Sequence, residues 1–140
     1  MPDRAIEGQT LMAFDFGEKR IGVAIGNTIT GGARPLAVIE EERRDARFAK
    51  IESLLAEWQP DRLIVGLPRH PDGRDHPFAL RCERFANQLR GRFGLDVTMV
   101  DERWTSALAP GHASIDAEAA AILLQSVFDT LSAHAQIHST

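Results

Sequence analysis

Residues 11–26 read LMAFDFGEKRIGVAIG, and the fold turns on how this stretch is parsed. LMAFDF, residues 11–16, is a short apolar run closed by Gly17. RIGVAIG, residues 20–26, is a second, with Glu18 and Lys19 as the turn between them. Apolar runs of this length, bounded by Gly and charged residues, read as strands. Gly31 and Gly32 break the chain next, and PLAVI, residues 35–39, makes a third short strand. Three short strands with tight links predict an antiparallel meander.

The period then changes. Phe48, Ile51, Leu54, Leu55 and Trp58 recur at spacings of three and four, which predicts an amphipathic helix over 44–58, stopped by Pro60. RLIVGL, residues 62–67, lies between Pro60 and Pro68 and suits a strand buried on both faces. A polar loop, PRHPDGRDHP, follows it. Phe78, Cys82, Phe85 and Leu89 then mark a second helix ending near Gly91 or Gly94, and DVTMV, residues 96–100, a fifth strand. The last helix is expected over 115–131, largely buried because AAAILL is apolar nearly all round. The order βββαβαβα implies an α/β fold: a mixed five-stranded sheet with helices on both faces, as in ribonuclease H-like proteins.

The chain has 140 residues, 44% of them hydrophobic, which suits one domain spanning 1–140, with residues 1–10 and 132–140 expected to be flexible. Cys82 is the lone cysteine, so neither an intramolecular disulfide nor a multi-cysteine zinc site is available. No apolar run approaches ~18 residues and the first residues lack a secretory core, so a cytoplasmic protein without a membrane partner is expected. The net charge of −4 argues against a simple polycationic nucleic-acid binder. That charge is uneven, because residues 104–140 carry Asp116, Glu118 and Asp129 but no Lys or Arg. Basic patches elsewhere remain open.

Asp15 is the acid that stands out, a charge inside an otherwise apolar strand. A buried carboxylate needs a cation, a metal or strong hydrogen bonds. It could instead end the strand and accept hydrogen bonds from the Gly17–Lys19 turn. Asp101 and Glu102 close the fifth strand, and alternation lets only one of them face a given site. Asp116 opens the last helix, where Ser114 or Asp116 could simply cap it. In the expected topology these acids gather at one sheet edge. Two like charges ~4 Å apart repel by ~4 kcal/mol at an effective dielectric of ~20, so three carboxylates call for a divalent cation. Oxygen donors suit Mg²⁺ or Mn²⁺. Two such ions, roughly 4 Å apart, would activate a water and stabilise the leaving oxygen of a phosphodiester.

Five blocks of this sequence resemble, in order, the YqgF/RuvX family. They are DFGEKRIGVAIG (15–26), ARPL (33–36), IVGLP with PDG (64–68, 71–73), RFANQL (84–89), and DER (101–103) followed by IDAEAAAILLQSVFD (115–129). The resemblance implies a ribonuclease H-like, Holliday-junction-resolvase-like fold. It also implies a metal-dependent endonuclease, a hydrolase of phosphodiester bonds, in 5′-end maturation of precursor 16S rRNA. By the same correspondence Asp15, Glu102 and Asp116 are the expected catalytic metal ligands, for two Mg²⁺ or Mn²⁺ ions, and Lys19, Arg20 and Arg103 the expected phosphate contacts. Arg69 and Arg74, in the polar loop with His70 and His76, are further candidates for the nucleic-acid backbone. The expected partner is structured precursor rRNA or a pre-ribosomal particle, met by a monomer or weak homodimer.

Two departures from the family pattern bear on these expectations. Twelve residues without Lys or Arg, WTSALAPGHASI (104–115), stand where family members usually carry a longer segment, often with Lys. The fourth strand ends in Gly66-Leu67-Pro68 with no carboxylate, whereas related resolvases carry an acid there. Asp72 is a candidate substitute ligand or a Pro-Asp-Gly turn residue, and Trp104 a base-stacking or anchoring residue. The competing functions are an RNA- or ribosome-associated assembly factor with weak or no cleavage, and a resolvase-like nuclease on branched DNA. An actin-like phosphotransferase also begins with an Asp-x-Gly strand, but it needs a second domain to enclose ATP.

Overall fold

The structure is a computed structural model that describes residues 8–17, 19–67, 78–101 and 117–138. Its elements are β1 (Thr10–Phe16), β2 (Ile21–Asn27), β3 (Gly32–Ile39), α1 (Arg44–Trp58), β4 (Arg62–Leu67), α2 (Ala79–Phe93), β5 (Asp96–Asp101) and α3 (Ala117–His138). This is the expected βββαβαβα order. The five strands form one sheet in the order β3-β2-β1-β4-β5. β1–β2 and β2–β3 are antiparallel, whereas β1–β4 and β4–β5 are parallel.

Parity along the strands sorts the side chains onto two faces. Met12, Phe14, Ile21, Val23, Leu63, Val65 and Val97 share one core with Phe48 and Ile51 of α1 and Phe85, Ala86 and Leu89 of α2. Leu11, Ala13, Ala24 and Ile64 share the other with Ala120, Ala121, Leu123, Leu124 and Phe128 of α3. Helices therefore cover both faces. The apolar middle of α3 is buried as its composition predicted, with Leu123 and Leu124 wholly inaccessible.

Element ends differ from expectation where pairing or capping outweighs local composition. β3 begins at Gly32 instead of residue 35, because its earlier residues already pair with β2, from Asn27↔Gly32 onward. Pro35 is tolerated within it because β3 is an edge strand. β1 begins at Thr10, whose amide donates to Asp61 Oδ2 at 2.8 Å. α3 continues to His138 instead of stopping near 131, as no Gly or Pro interrupts that stretch. α1 ends on Gln59 in the left-handed region at φ 46°, its amide bonded to Leu55 O. Gly94 performs the same role for α2 at φ 66°.

One glycine is dictated by close approach. A Cβ on Gly26 would lie 2.6 Å from both the Gly32 carbonyl oxygen and Phe128 Cε2. This contact fixes how closely α3 sits on the meander. Two further side-chain bonds clamp the same place: Ala33 N–H donates to Gln125 Oε1 at 3.0 Å, and Gln125 Nε2 donates to Gly31 O at 2.9 Å.

Gly26→Ala is expected to cost about 1–3 kcal/mol of folding stability, because backbone and a buried ring must both shift. Gln59→Gly is expected to add about 0.5–1 kcal/mol by relieving the left-handed backbone. Urea denaturation of the two variants beside wild type measures both.

Candidate functional site

Asp15 is the penultimate residue of the central strand and is only 7% exposed. It follows Leu11 and Ala13 in parity, so it lies on the face covered by α3. Its neighbours on that face are glycines. Asp15 pairs directly with Gly22 of β2. On the other side the β1–β4 register runs to Phe14↔Val65, which puts Gly66 level with Asp15. Gly66 in turn pairs with Val100 of β5. The next row toward the strand's start is filled instead by Ala24, Ala13 and Ile64. The carboxylate thus stands where the sheet has a side chain in the middle and none on either side.

This geometry bears on the missing fourth-strand acid. The Asp15 row and β5 are separated by two inter-strand spacings, roughly 10 Å. Gly66 is buried and contributes no side chain to that interval. The sequence shows Gly66 only as the absence of a ligand; that it stands level with Asp15 needed the register.

α3 is held by its second half: Gln125 bonds to Ala33 and Gly31, and Phe128 seats against Gly26, at the end of the sheet where Leu11 pairs with Gly26. Ala120, Ala121, Leu123 and Leu124 of its earlier turns pack with Leu11, Ala13, Ala24 and Ile64.

Lys19 and Arg20 are exposed in the β1–β2 connection, at the same end of the sheet as Asp15. Asp15 and these two cations are the expected site residues that the structure describes. Glu102, Asp116, Arg69, Arg74 and Arg103 lie outside the described residues, as do Asp72 and Trp104. Among the described residues no three His, Cys, Asp or Glu side chains gather into a metal-binding cluster. Phe85 and Cys82, read as core, are 3% and 1% exposed. Phe78 stacks on Phe16 with ring centroids 5.6 Å apart.

The family model for RuvX, described as Holliday junction resolvase, matches residues 9–130. The chain belongs to the RuvX family. A Bordetella avium relative named "Putative pre-16S rRNA nuclease" is 58% identical over 127 residues, which cover 88% of this chain and 97% of the relative. A Burkholderia cenocepacia relative of the same name is 53% identical over 137 residues, covering 89% and 92%. Among solved structures, Thermus thermophilus RuvC in complex with a Holliday junction substrate has a TM-score of 0.56 at 16% identity, covering 89% of this chain and 96% of that one. Fowlpox virus resolvase, in complex with Holliday junction DNA, has a TM-score of 0.55 at 13% identity, covering 87% and 98%. At these identities the likeness establishes the fold alone: this RuvX chain is ribonuclease H-like, as its element order predicted. No helix among its described residues is long and apolar enough to cross a membrane.

Lys19 and Arg20 are exposed, so reversing either charge is expected to change folding stability by less than about 0.5 kcal/mol. Urea titration of Lys19→Glu and Arg20→Glu measures it, and a larger loss assigns them a structural role.

Proposed function

We propose that this RuvX protein is a metal-dependent endonuclease that cleaves precursor 16S rRNA during 5′-end maturation. The observation that carries the reading is Asp15: a nearly buried carboxylate at the end of the central strand, flanked on its own face by Gly22 and Gly66. A carboxylate excluded from water and given space is suited to a hard, oxygen-preferring cation. The names carried by relatives 53–58% identical to this chain point to the RNA substrate.

Asp15, Glu102 and Asp116 would hold Mg²⁺ or Mn²⁺. Glu102 is bonded to the last residue of β5 and Asp116 to the first residue of α3. Val100 packs with the α3-side core while Val97 and Met99 pack on the other, so alternation favours Glu102 over Asp101 as the β5 acid. Divalent ions supply activation of a water for attack at phosphorus and stabilisation of the leaving oxygen. The protein's own part is to hold three acids in a fixed constellation and to keep water from the buried side of Asp15. Lys19 and Arg20, with Arg103, Arg69 and Arg74, would steer and grip the phosphate backbone.

The test is cleavage of a 5′-extended precursor 16S RNA by the purified full chain with Mg²⁺ or Mn²⁺. Asp15→Asn is expected to lower the rate more than about 100-fold, since loss of second-sphere partners alone costs 10–100-fold at metal sites. Its circular dichroism should stay that of wild type. Equal cleavage by both proteins refutes the mechanism. A four-way DNA junction assayed in parallel decides between RNA and the branched DNA of the family's description. Gly66→Val provides a second measurement. Because Gly66 is buried, valine is expected to cost about 1–3 kcal/mol of stability, and cleavage by the folded variant should fall at least about 10-fold because the added side chain stands beside Asp15.

A further inference from the structure

On the face of the sheet opposite Asp15, among the described residues, α1 and α2 enclose an open cleft of about 380 Å³. Phe16, Phe48 and Phe85 form its apolar lining. Arg44 and Arg47 come from α1, Arg81 and Arg84 from α2, and Glu42 is the acid that lines it with them. In a chain with a net charge of −4, four guanidinium groups against one carboxylate is a marked local reversal of sign.

We propose that this arginine cleft is a second contact for the nucleic-acid substrate, gripping sugar-phosphate backbone that passes over the end of the sheet from the Asp15 side. The inference rests on the nucleic-acid reading of the Asp15 site. Three observations carry it. The first is position: Phe16 follows Asp15 in β1, and their side chains point to opposite faces, so cleft and carboxylate share one end of the central strand. Lys19 and Arg20 are exposed in the connection at that same end, giving a backbone basic contacts between the two.

The second is the state of Arg47. It is 8% exposed, its guanidinium lies 5.6 Å from the Phe16 ring centre, and its Nε donates to the Glu41 carbonyl at 2.6 Å. Burial pushes its pKa below the ordinary arginine value, partly opposed by the Glu42 charge. Arg47 thus forms the fixed, aromatic-backed floor of the cleft, with the exposed Arg44, Arg81 and Arg84 around it. The third is the ligand type. Guanidinium forks recognise phosphate oxygens in bidentate fashion, and lysines are absent from the lining. Phe16 is already stacked between Phe78 and Phe85, with centroids at 5.6 and 4.6 Å, so the cleft offers phosphate contacts more than a free ring for a base.

Binding of a fluorescently labelled stem–loop RNA with a single-stranded 5′ extension, followed by anisotropy across a KCl series, tests this without requiring cleavage. The variant is Arg44→Gln/Arg84→Gln, which leaves the buried Arg47 in place. Ile29→Glu/Gln59→Glu, at the far end of the sheet, changes net charge equally and serves as control. The cleft variant is expected to bind at least about 10-fold more weakly at 0.1 M KCl, with the slope of log K against log[salt] reduced by about 1.4–1.8 for two lost phosphate contacts. Its thermal unfolding should match wild type. Equal binding by wild type and cleft variant, or an equal loss in the control, overturns the cleft. Absence of RNA binding by wild type does so too. Asp15-dependent cleavage that survives in a cleft variant with undiminished binding removes the cleft and leaves the nuclease standing. Cleft-dependent binding without metal-dependent cleavage does the reverse.

Discussion

β1 is hydrogen-bonded along both edges and covered on both faces, and every other feature of the molecule follows from that burial. Its residues from Leu11 to Asp15 are all nearly inaccessible. A strand so placed needs apolar side chains in both parities, which is why LMAF does not alternate with polar residues. It also needs helices above and below: α1 and α2 on one face, α3 on the other. The single carboxylate in this strand is therefore surrounded by structure that is rigid for reasons unrelated to chemistry. That is a favourable setting for a site whose ligands must not move.

The two faces of the strand's last residues divide the labour. Asp15 belongs to the α3 face, where its strand neighbours Gly22 and Gly66 carry no side chains. Phe16 belongs to the other, where it joins an aromatic group with Phe78 and Phe85 and underlies Arg47. Neighbouring residues thus put a carboxylate on one face and an arginine-lined cleft on the other. Their charges are kept apart by the thickness of the sheet, which limits mutual neutralisation. The low net charge of the whole chain conceals this separation.

α3 is the element that ties the meander to the parallel half. Phe128 seats on Gly26, and Gln125 bridges Gly31 and Ala33, so the helix is located by its second half on strands β2 and β3. Its earlier turns carry Ala120, Ala121, Leu123 and Leu124 into the core shared with β1, β2 and β4.

The sequence by itself determined the element order, the helices on both faces and the family, and it singled out Asp15 as the charge within an apolar strand. Those properties reside in local periodicity and in short motifs, and a lone charge in an apolar run is visible without neighbours. It also identified the core aromatics, Phe48 and Phe85, from helical spacing. It misjudged the start of β3 and the end of α3, because strand pairing and helical hydrogen bonding extend elements beyond their apolar residues. Gly66 was legible only as a missing acid, and the arginine cleft was not legible at all. Arg44 and Arg47 are separated from Arg81 and Arg84 by a strand and more than thirty residues, and only packing brings them together. Tertiary structure decided these last features because they concern distance across the sheet and between helices, which no one-dimensional pattern encodes.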